Sequence, residues 1–495
     1  MSAHLDALIA GCEAEQLHLS GAVQPFGALL ALSPDGLQIT HASANIDSRI
    51  DMPASAVIGA GTADTLPWLA PLVAAWLTKR KPGVHQLLHR VHATADGWLD
   101  ALLVTGEDCI LVELLATRDM APLPVHRLQL PLLEAPGNPS EAEAYNAALL
   151  SAMHEVLGFD RIMLYRFHDD FSGEVIAERA DNGLGSYLGL RFPASDIPAI
   201  ARRLYLINPW RAIPDIQAAS APVLGPTPLD LTHSLLRSVS PVHLKYLDNM
   251  GVRASFSLPI KVAGQLWGLV ACHHGSPLTP DPEACEVAGS LARNFAMGIS
   301  IWNAQQRMQL LDSLKQRVEL ILHDIQTGTD LLDGLARQLP ALLDLMAADG
   351  LLVALGTDFL SCGHVAGGEA LNALDDWFTS RNDPIFMTDE IASERPDLAA
   401  AMAPLAGVAA FRLDRYRQHG PRGLRFYWFR REEPQEVAWA GNPDKPQAEN
   451  ASVPTLAPRR SFERWVEVRQ GVSRPWSNQD RLHCTRLRFS LLQME

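Results

Sequence analysis

Short apolar runs separated by turn residues occupy the first quarter of the chain. From Gln24 to about Leu115 this pattern recurs in segments such as FGALLALSPDGLQITHAS, in which Pro34-Asp35-Gly36 predicts a turn between two strands. A linker with several prolines, at 122–140, ends the region. The pattern predicts a first domain of the α+β class.

The next region combines one helix with a second set of strand-like segments. Ser140 is the predicted N-cap of a helix that runs through Gly158, with Glu143 at the capping-box position. Apolar segments then alternate with loops, and they read RIMLYRF, EVIAER, ASFSLPIKVAG and QLWGLVACHH. A turn at 262–265 joins the last two as a hairpin, so a second α+β domain is predicted.

A long stretch with few helix breakers follows, from Cys285 to about Leu345. Its continuous apolar periodicity predicts a helical spine that links two domains and packs against its twin in a homodimer. A third domain is predicted from about Leu351, with the strands LLVALG, AAFRLD and LRFYWFRR. A polar insertion at 432–475 interrupts this domain, and the helix DRLHCTRLRFSLLQM ends the chain.

Composition narrows the possible partners. A chain of 495 residues corresponds to about three domains. It carries 41 Lys and Arg against 56 Asp and Glu, a formal charge of −15, which argues against nucleic acid or an anionic membrane as partner. We find no signal-peptide pattern and no apolar window of membrane-spanning length, so a cytoplasmic location is expected. The six cysteines lie far apart without a CxxC pair, which indicates neither a disulfide framework nor a zinc site.

Five strings carry a family resemblance. They are PASDIP (193–198) with Cys12 in GCEAEQLHLSGAVQPFG, MLYRF (163–167), SPVHLKYLDNMGV (240–252), QLWGLVACHH (265–274) and PRRSF (458–462). Taken together, and in their order along the chain, they resemble the bacterial phytochromes over essentially the whole chain. The resemblance implies a light receptor, without catalytic residues, built from three sensor domains: PAS (1–120), GAF (138–305) and PHY (306–495). It also implies antiparallel sheets and a figure-of-eight knot, in which Val23 passes through a loop near 215–233.

The same resemblance implies biliverdin as the chromophore, held by a covalent thioether at Cys12. Plant and many cyanobacterial phytochromes carry the anchoring thiol directly before the pocket histidine, where this chain has Val242. The bacterial family instead attaches biliverdin through a cysteine in the N-terminal segment, which matches Cys12. A thiolate is the reactive form for such an addition.

Further roles follow from the resemblance. Arg211 and Arg237 match the clamps for the two propionates, and a guanidinium suits this task because its fork meets a carboxylate bidentately. Asp196 matches the residue whose backbone carbonyl accepts from the pyrrole N–H groups while its carboxylate faces the third domain. His243 would stack beside the ring system and hold a water, and His273 would donate to the carbonyl of the outer ring that rotates. The remaining implied chromophore-binding residues are Ser240, Ser255 and Ser257 with Tyr205 at the propionates, and Ile197, Tyr165, Phe192 and Tyr246 around the rings.

Each of these residues has an ordinary alternative. An isolated arginine or serine is usually a surface group, and an isolated histidine is usually structural. Asp196 could be a helix N-cap, because PASDIPAIARRLY reads as a cap before a helix with proline in its first turn. The assignments therefore depend on the residues occurring together.

The insertion at 432–475 resembles the family's tongue, which changes between hairpin and helix with light. The resemblance assigns signalling roles to Trp439, Arg459, Ser461, Trp465 and Glu467. Arg459 would pair with Asp196 in one state, and Trp439 and Trp465 would exchange packing sites. The composition of 441–457 alone would instead favour a disordered loop.

Three alternative functions are a histidine kinase, a bilin-metabolising enzyme and a cyclic-nucleotide sensor. His323-Asp324 is similar to the phospho-acceptor box of histidine kinases, but no ATP-binding glycine motif follows, so a kinase could only be an output module of a longer parent protein. A bilin reductase or lyase would need a nucleotide site, and no glycine-rich phosphate loop is visible. A GAF domain that binds a cyclic nucleotide is a third alternative.

The resemblance also bears on the dark state. Leu190 stands where the branch of the family whose dark state absorbs far-red light tends to carry Gln, and this favours a red-absorbing dark state.

Overall fold

The computed structural model describes residues 16–81, 83–117, 122–181, 184–414, 422–443 and 461–493. Contacts divide the chain into two compact units. The first comprises residues 1–302 with 438–465, and the second comprises 303–437 with 466–495. Cys12 and Arg459 lie outside the described residues.

The strands, in chain order, are β1 (Ala22–Val23), β2 (Gly27–Leu32), β3 (Ile39–Ser43), β4 (Gln86–Thr94), β5 (Gly97–Thr105), β6 (Ile110–Ala116), β7 (Arg161–Phe167), β8 (Gly173–Ala180), β9 (Arg191–Phe192), β10 (Arg211–Ile213), β11 (Ala221–Leu224), β12 (Ala254–Val262), β13 (Gln265–His274), β14 (Gly350–Leu355), β15 (Asp358–Gly363), β16 (Ile385–Thr388), β17 (Leu405–Leu413), β18 (Leu424–Arg431), β19 (Gln435–Ala440) and β20 (Arg464–Arg469). The helices are α1 (Asp47–Ile50), α2 (Ala54–Val57), α3 (Thr62–Thr65), α4 (Ala70–Leu77), α5 (Val125–Gln129), α6 (Pro139–Leu157), α7 (Ala199–Ile207), α8 (Pro241–Asn249), α9 (Pro282–Gln326), α10 (Leu331–Leu345), α11 (Gly368–Ser380), α12 (Ile391–Glu394), α13 (Pro396–Met402) and α14 (Asn478–Gln493).

The N-terminal sheet has the order β1-β11-β3-β2-β6-β5-β4 and is covered on both faces. All residues of β2 are buried because alternate side chains enter two different cores. Leu30 packs with α1, α2 and α4, whereas Leu29 packs with the segment that carries Leu231 and Leu236. The predicted turn between β2 and β3 is confirmed: Asp35 Oδ1 accepts from the Leu37 amide at 3.0 Å, as in an Asx-turn.

The segment after Gln16 lies against the part of the chain that the predicted knot involves. In β1, Ala22 pairs with Pro222 of β11, and Val23 is fully buried. The backbone amide of Gln24 donates to the Leu236 carbonyl at 2.7 Å. These contacts place the N-terminal segment beside the 221–237 loop, and the knot itself stays a prediction.

The second sheet has the strand order β10-β12-β13-β7-β8-β9. One face packs on α6 and α9 through residues such as Leu164, Phe256 and Val270. The predicted hairpin between β12 and β13 is confirmed, with Ala263 (φ 51°) and Gly264 (φ 78°) both in the left-handed region that such a turn requires. The other face of this sheet carries the candidate site.

The predicted start of α6 is wrong by two residues. Asn138 is the N-cap, since its side chain accepts from the Glu141 amide at 3.0 Å. Asparagine is a strong cap residue and Pro139 suits the first helical position, so Ser140 and Glu143 fall inside the helix. The predicted end is confirmed by Gly158, which follows the helix with φ 69°.

The predicted continuous spine is interrupted. Helix α9 ends at Gln326, and α10 begins after Asp330, whose side chain accepts from the Asp333 amide at 2.8 Å. A β-carbon at Gly334 would lie 2.1 Å from the Ile325 carbonyl oxygen, so the two helices approach too closely for any other residue there. The segment T-G-T-D is a turn and a cap, and the periodicity alone did not show it.

The sheet of the second unit has the order β15-β14-β18-β17-β16, and β14, β17 and β18 confirm the predicted strands. In β18, Phe426 and Trp428 pack with α10 and α14, whereas Tyr427 and Phe429 pack with α11–α13. The predicted last helix is confirmed as α14.

Candidate functional site

Strand register gathers the predicted polar residues on one face of the second sheet. Arg211 on β10 lies opposite Ser257 on β12. Ser255, two residues earlier on β12, lies opposite His273 on β13, and His273 lies opposite Arg161 on β7. Directly opposed residues point to the same side of a sheet. The face therefore carries a row of hydrogen-bonding side chains.

Two arginines lie at the edge of this face, and main-chain carbonyls hold both guanidiniums. Arg211 donates to the carbonyls of Leu235 (3.2 Å) and Ser238 (3.0 Å), and Arg237 donates to that of Leu231 (3.2 Å). Among the described residues, no carboxylate oxygen lies within 4 Å of either guanidinium. Burial and then the neighbouring Arg237 lower the pKa of Arg211 to about 9, and burial lowers the pKa of Arg237 to about 10. Two poorly compensated cations of this kind suit a ligand with two acidic groups.

Hydroxyl groups surround this pair. Tyr205 Oη lies 2.8 Å from Ser257 Oγ, and burial raises the pKa of the Tyr205 phenol, so it stays neutral and can donate. Ser240 is the N-cap residue of α8. The predicted serines and tyrosine thus come from three elements: β12, α7 and the start of α8.

Helices α7 and α8 form the other wall. The rings of His243 and Tyr246, one turn apart on α8, stack with centroids 6.0 Å apart. Burial and then the charge of Arg211 lower the pKa of His243 to about 4, so the ring is neutral at pH 7. His243 nevertheless keeps accessible surface, and no residue of α7 is fully buried. A side chain that is desolvated by the surrounding protein and still accessible lines a cleft.

Asp196 lies in this cleft, although not as a helix cap. Tyr246 Oη donates to Asp196 Oδ2 at 3.1 Å. Residues Ala194–Asp196 form a single 3-10 turn, and α7 begins only after Pro198, so the cap prediction is wrong. The reason is Pro198, which excludes the preceding Ile197 from the helical region. The Ile197 carbonyl instead accepts from Arg202 at 2.6 Å.

An aromatic pocket lies further along the same face. The rings of Tyr165 and Phe192 are 5.9 Å apart, and Tyr187 meets Phe192 edge to face at 5.7 Å. A β-carbon at Gly173 would lie 1.8 Å from the ring of Tyr165, so this ring position requires glycine on β8. His273 borders the pocket, and its pKa lies well below the usual value because of burial and then the charge of Arg161.

Two described segments of the insertion, at Trp439 and at Phe462, cover this pocket within the first unit. Trp439 on β19 pairs in parallel with Arg191 on β9. Phe462 packs on Tyr187 (6.3 Å between centroids) and edge to face on Tyr246 (5.1 Å). Ser461, Trp465 and Glu467 belong to the described part of the insertion, with the last two on β20.

Sequence reasoning missed two buried charged residues. Arg161 donates through Nη2 to His273 Nδ1 at 2.8 Å, and the alternation Arg161-Met163-Tyr165 along β7 could have placed it on the site's face. Glu113 is fully buried on β6 and accepts from Ser234 Oγ at 2.6 Å. A lone acid inside the apolar run ILVELLA was the available signal.

Family models match the chain in three places: a PAS fold at 12–116, a GAF domain at 142–299 and a phytochrome region at 314–494. A bacteriophytochrome of Pseudomonas aeruginosa is 34% identical over 98% of this chain and 66% of its own length. One of Xanthomonas campestris pv. campestris is 35% identical over 94% of this chain and 75% of its own length. This chain thus spans about two thirds to three quarters of these relatives.

Two solved structures are similar to this chain over almost its whole length. A bacteriophytochrome from the photosynthetic bacterium R. palustris superposes with a TM-score of 0.82 at 30% identity, covering 97% of this chain and 98% of that one. The photosensory core module of a Stigmatella aurantiaca phytochrome gives a TM-score of 0.81 at 30% identity, covering 97% of both. Among the described residues, no helix could span a membrane and no cluster of potential metal ligands occurs.

Proposed function

We propose, because this chain belongs to the bacteriophytochrome family, that it binds biliverdin through a thioether at Cys12 and switches between red- and far-red-absorbing states. The chromophore, when bound, supplies light absorption and a double bond that isomerises. The protein's own task is to hold the bilin, keep its surroundings in defined protonation states and respond to its change of shape.

The pair of guanidiniums carries this proposal. Arg211 and Arg237 are held by main-chain carbonyls and lack a carboxylate partner among the described residues. Two propionates would compensate both charges, with Tyr205, Ser240, Ser255 and Ser257 as hydroxyl donors. A cyclic nucleotide carries one negative charge and would leave one guanidinium uncompensated.

The remaining site residues serve the ring system in this proposal. His243 and His273 are uncharged at pH 7, so neither adds positive charge to the pocket. His243 holds a water beside the rings, and His273 donates to the carbonyl of the rotating ring. Asp196 accepts from the pyrrole N–H groups through its backbone carbonyl. Ile197, Tyr165, Phe192 and Tyr246 enclose the outer ring.

Signal transfer would use the insertion and the long helix. Trp439, Ser461, Trp465 and Glu467 respond to the chromophore, and Arg459 pairs with Asp196 in one state. We place the domains at 1–120, 138–305 and 306–495, with the tongue at 432–475. The proposed protein is a cytoplasmic homodimer that passes its signal to a downstream partner or an output module, and a histidine kinase in a longer parent protein is the alternative that we keep.

Two comparisons test the binding proposal. The purified chain should take up biliverdin and develop a red absorption band, and biliverdin dimethyl ester should bind at least tenfold more weakly, because it lacks both acidic groups. Arg211→Gln should abolish most of this preference. Equal affinity for acid and ester would contradict the guanidinium clamp.

The anchor is tested by denaturation. The denatured complex should show zinc-induced bilin fluorescence at the mass of the chain, and Cys12→Ser should remove it. Cys109→Ser is the matched control, because Cys109 is half-buried and burial raises the pKa of its thiol to about 11, which leaves it unreactive. Fluorescence that persists in Cys12→Ser would assign the bond to another cysteine.

A further inference from the structure

Arg161 occupies a fixed position beside His273. It is the first residue of β7 and is only 1% exposed. Nη2 lies 2.8 Å from His273 Nδ1, and Nη1 donates to the Gly185 carbonyl at 2.7 Å. The guanidinium carbon lies 4.3 Å from the centre of the Tyr187 ring. Three neighbours, one on β13 and two in the loop between β8 and β9, thus fix its orientation.

The chemistry of the contact determines where the imidazole carries its hydrogen. A guanidinium only donates hydrogen bonds, so Nδ1 of His273 must accept, and a nitrogen that accepts carries no hydrogen. A neutral imidazole with a bare Nδ1 has its hydrogen on Nε2.

The surroundings of His273 keep the ring neutral. Burial lowers the pKa of His273 most, followed by the charges of Arg161 on β7 and His243 on α8. Tyr187 and Glu178 act on the guanidinium rather than on the imidazole, and the Glu178 carboxylate accepts from the Tyr187 amide at 3.0 Å. Between pH 6 and pH 9 the ring therefore has no reason to gain a proton.

We propose that Arg161 is a positioning residue that holds His273 in the single tautomer with its hydrogen on Nε2. This rests on the proposed function, in which His273 donates to the carbonyl of the rotating ring. An imidazole free to change tautomer would present an acceptor to that carbonyl part of the time. Arg161 would keep the donor in place through its contact with His273.

The tautomer can be measured without the bilin. The 495-residue chain without bilin is labelled with ¹⁵N-histidine, and the His273 signals are identified by their loss in His273→Gln. In the unmodified chain, Nε2 should show the shift of a protonated nitrogen and Nδ1 that of a bare one, unchanged from pH 6 to pH 9. In Arg161→Leu, both tautomers should be populated, and the ring should begin to titrate at a higher pH, because a neighbouring cation is gone.

Two further variants keep the inference falsifiable. Arg161→Lys retains a charge and a donor and should keep the Nε2–H form. Arg166→Leu removes an exposed arginine of the same strand and should leave His273 unchanged. A hydrogen on Nδ1 in the unmodified chain, or an unchanged tautomer in a folded Arg161→Leu, would overturn the inference.

The loaded protein provides an independent readout. Arg161→Leu should bind biliverdin but give a several-fold lower photoproduct yield, and Arg161→Lys should recover part of it. An unmodified yield in Arg161→Leu would also contradict the role. If the unmodified chain took up no biliverdin, the proposed function would fail, whereas the tautomer measurement would still decide the position of the hydrogen.

Discussion

The buried carboxyl group of Glu113 makes the stability of the first unit depend on pH. Its Oε1 accepts from Ser234 Oγ at 2.6 Å and from the Leu236 amide at 3.1 Å, so it ties β6 to the loop that carries Arg237. Burial, partly offset by these hydrogen bonds and by Arg211, raises the pKa of Glu113 from 4.5 to about 7. The folded protein therefore resists the loss of this proton.

The raised pKa of Glu113 makes the folded state less stable as pH rises. Below pH 4.5 the group is protonated in both the folded and the unfolded chain, and its pKa shift costs nothing. As pH rises from 4.5 through 7, the unfolded chain loses the proton first, and the folded state loses stability until both forms are ionised. Raising the pKa of Glu113 from 4.5 to about 7 lowers the free energy of unfolding by about 3.4 kcal/mol once both forms are ionised. About 2.5 kcal/mol of this loss falls between pH 5 and pH 9.

The test replaces Glu113 by Gln, which keeps an acceptor but cannot ionise. The free energy of unfolding of the first unit is measured by urea denaturation from pH 5 to pH 9. The unmodified chain should lose about 2.5 kcal/mol more than Glu113→Gln over this range. Glu107→Gln changes an exposed acid between β5 and β6 and should keep the pH dependence of the unmodified chain. Parallel pH profiles for the unmodified chain and Glu113→Gln would refute the reasoning.

Four further outcomes are expected. Asp196→Ala, which loses the bond to Tyr246, should bind biliverdin but fail to complete photoconversion and fluoresce more; full conversion would defeat its role. Arg459→Ala should keep binding and the dark spectrum but change dark-reversion kinetics or photoproduct yield, and unchanged values would remove the proposed pair with Asp196. His323 should take no label from ATP in dark or light, whereas labelling that a His323→Gln variant abolishes would overturn this view. Met308→Glu, on the exposed apolar stripe of α9, should shift the light-scattering mass from dimer to monomer; a mass unchanged by the substitution would place the dimer contact elsewhere.

Sequence patterns predicted the elements better than their ends. The strands around Arg161 and His273 and the turn at Asp35 follow from local alternation and turn residues, which are properties of a few neighbouring positions. The start of α6 was misplaced because two cap-forming residues, Asn138 and Ser140, lie within three positions, and only the fold selects one. The break after Gln326 was missed because the close contact at Gly334 involves two helices.

Some residues of the candidate site could be predicted from the sequence, and others could not. The family resemblance named residues such as Arg211 and Tyr205, which the structure brings close together beside Ser257. Arg161 and Glu113 were missed because each acts through a partner more than a hundred positions away, His273 for one and Ser234 for the other. Such pairs depend on sheet register and domain packing, which a local pattern does not contain.

Reversible photoconversion tests directly whether this chain is a photoreceptor that switches between red- and far-red-absorbing states. The chain is loaded with biliverdin in darkness, and absorption is recorded before red light, after red light and after subsequent far-red light. We expect a red band in the dark state, its loss in favour of a far-red band under red light, and recovery of the first spectrum under far-red light. A bound bilin whose spectrum does not change reversibly under these lights would rule out the proposed photoreceptor.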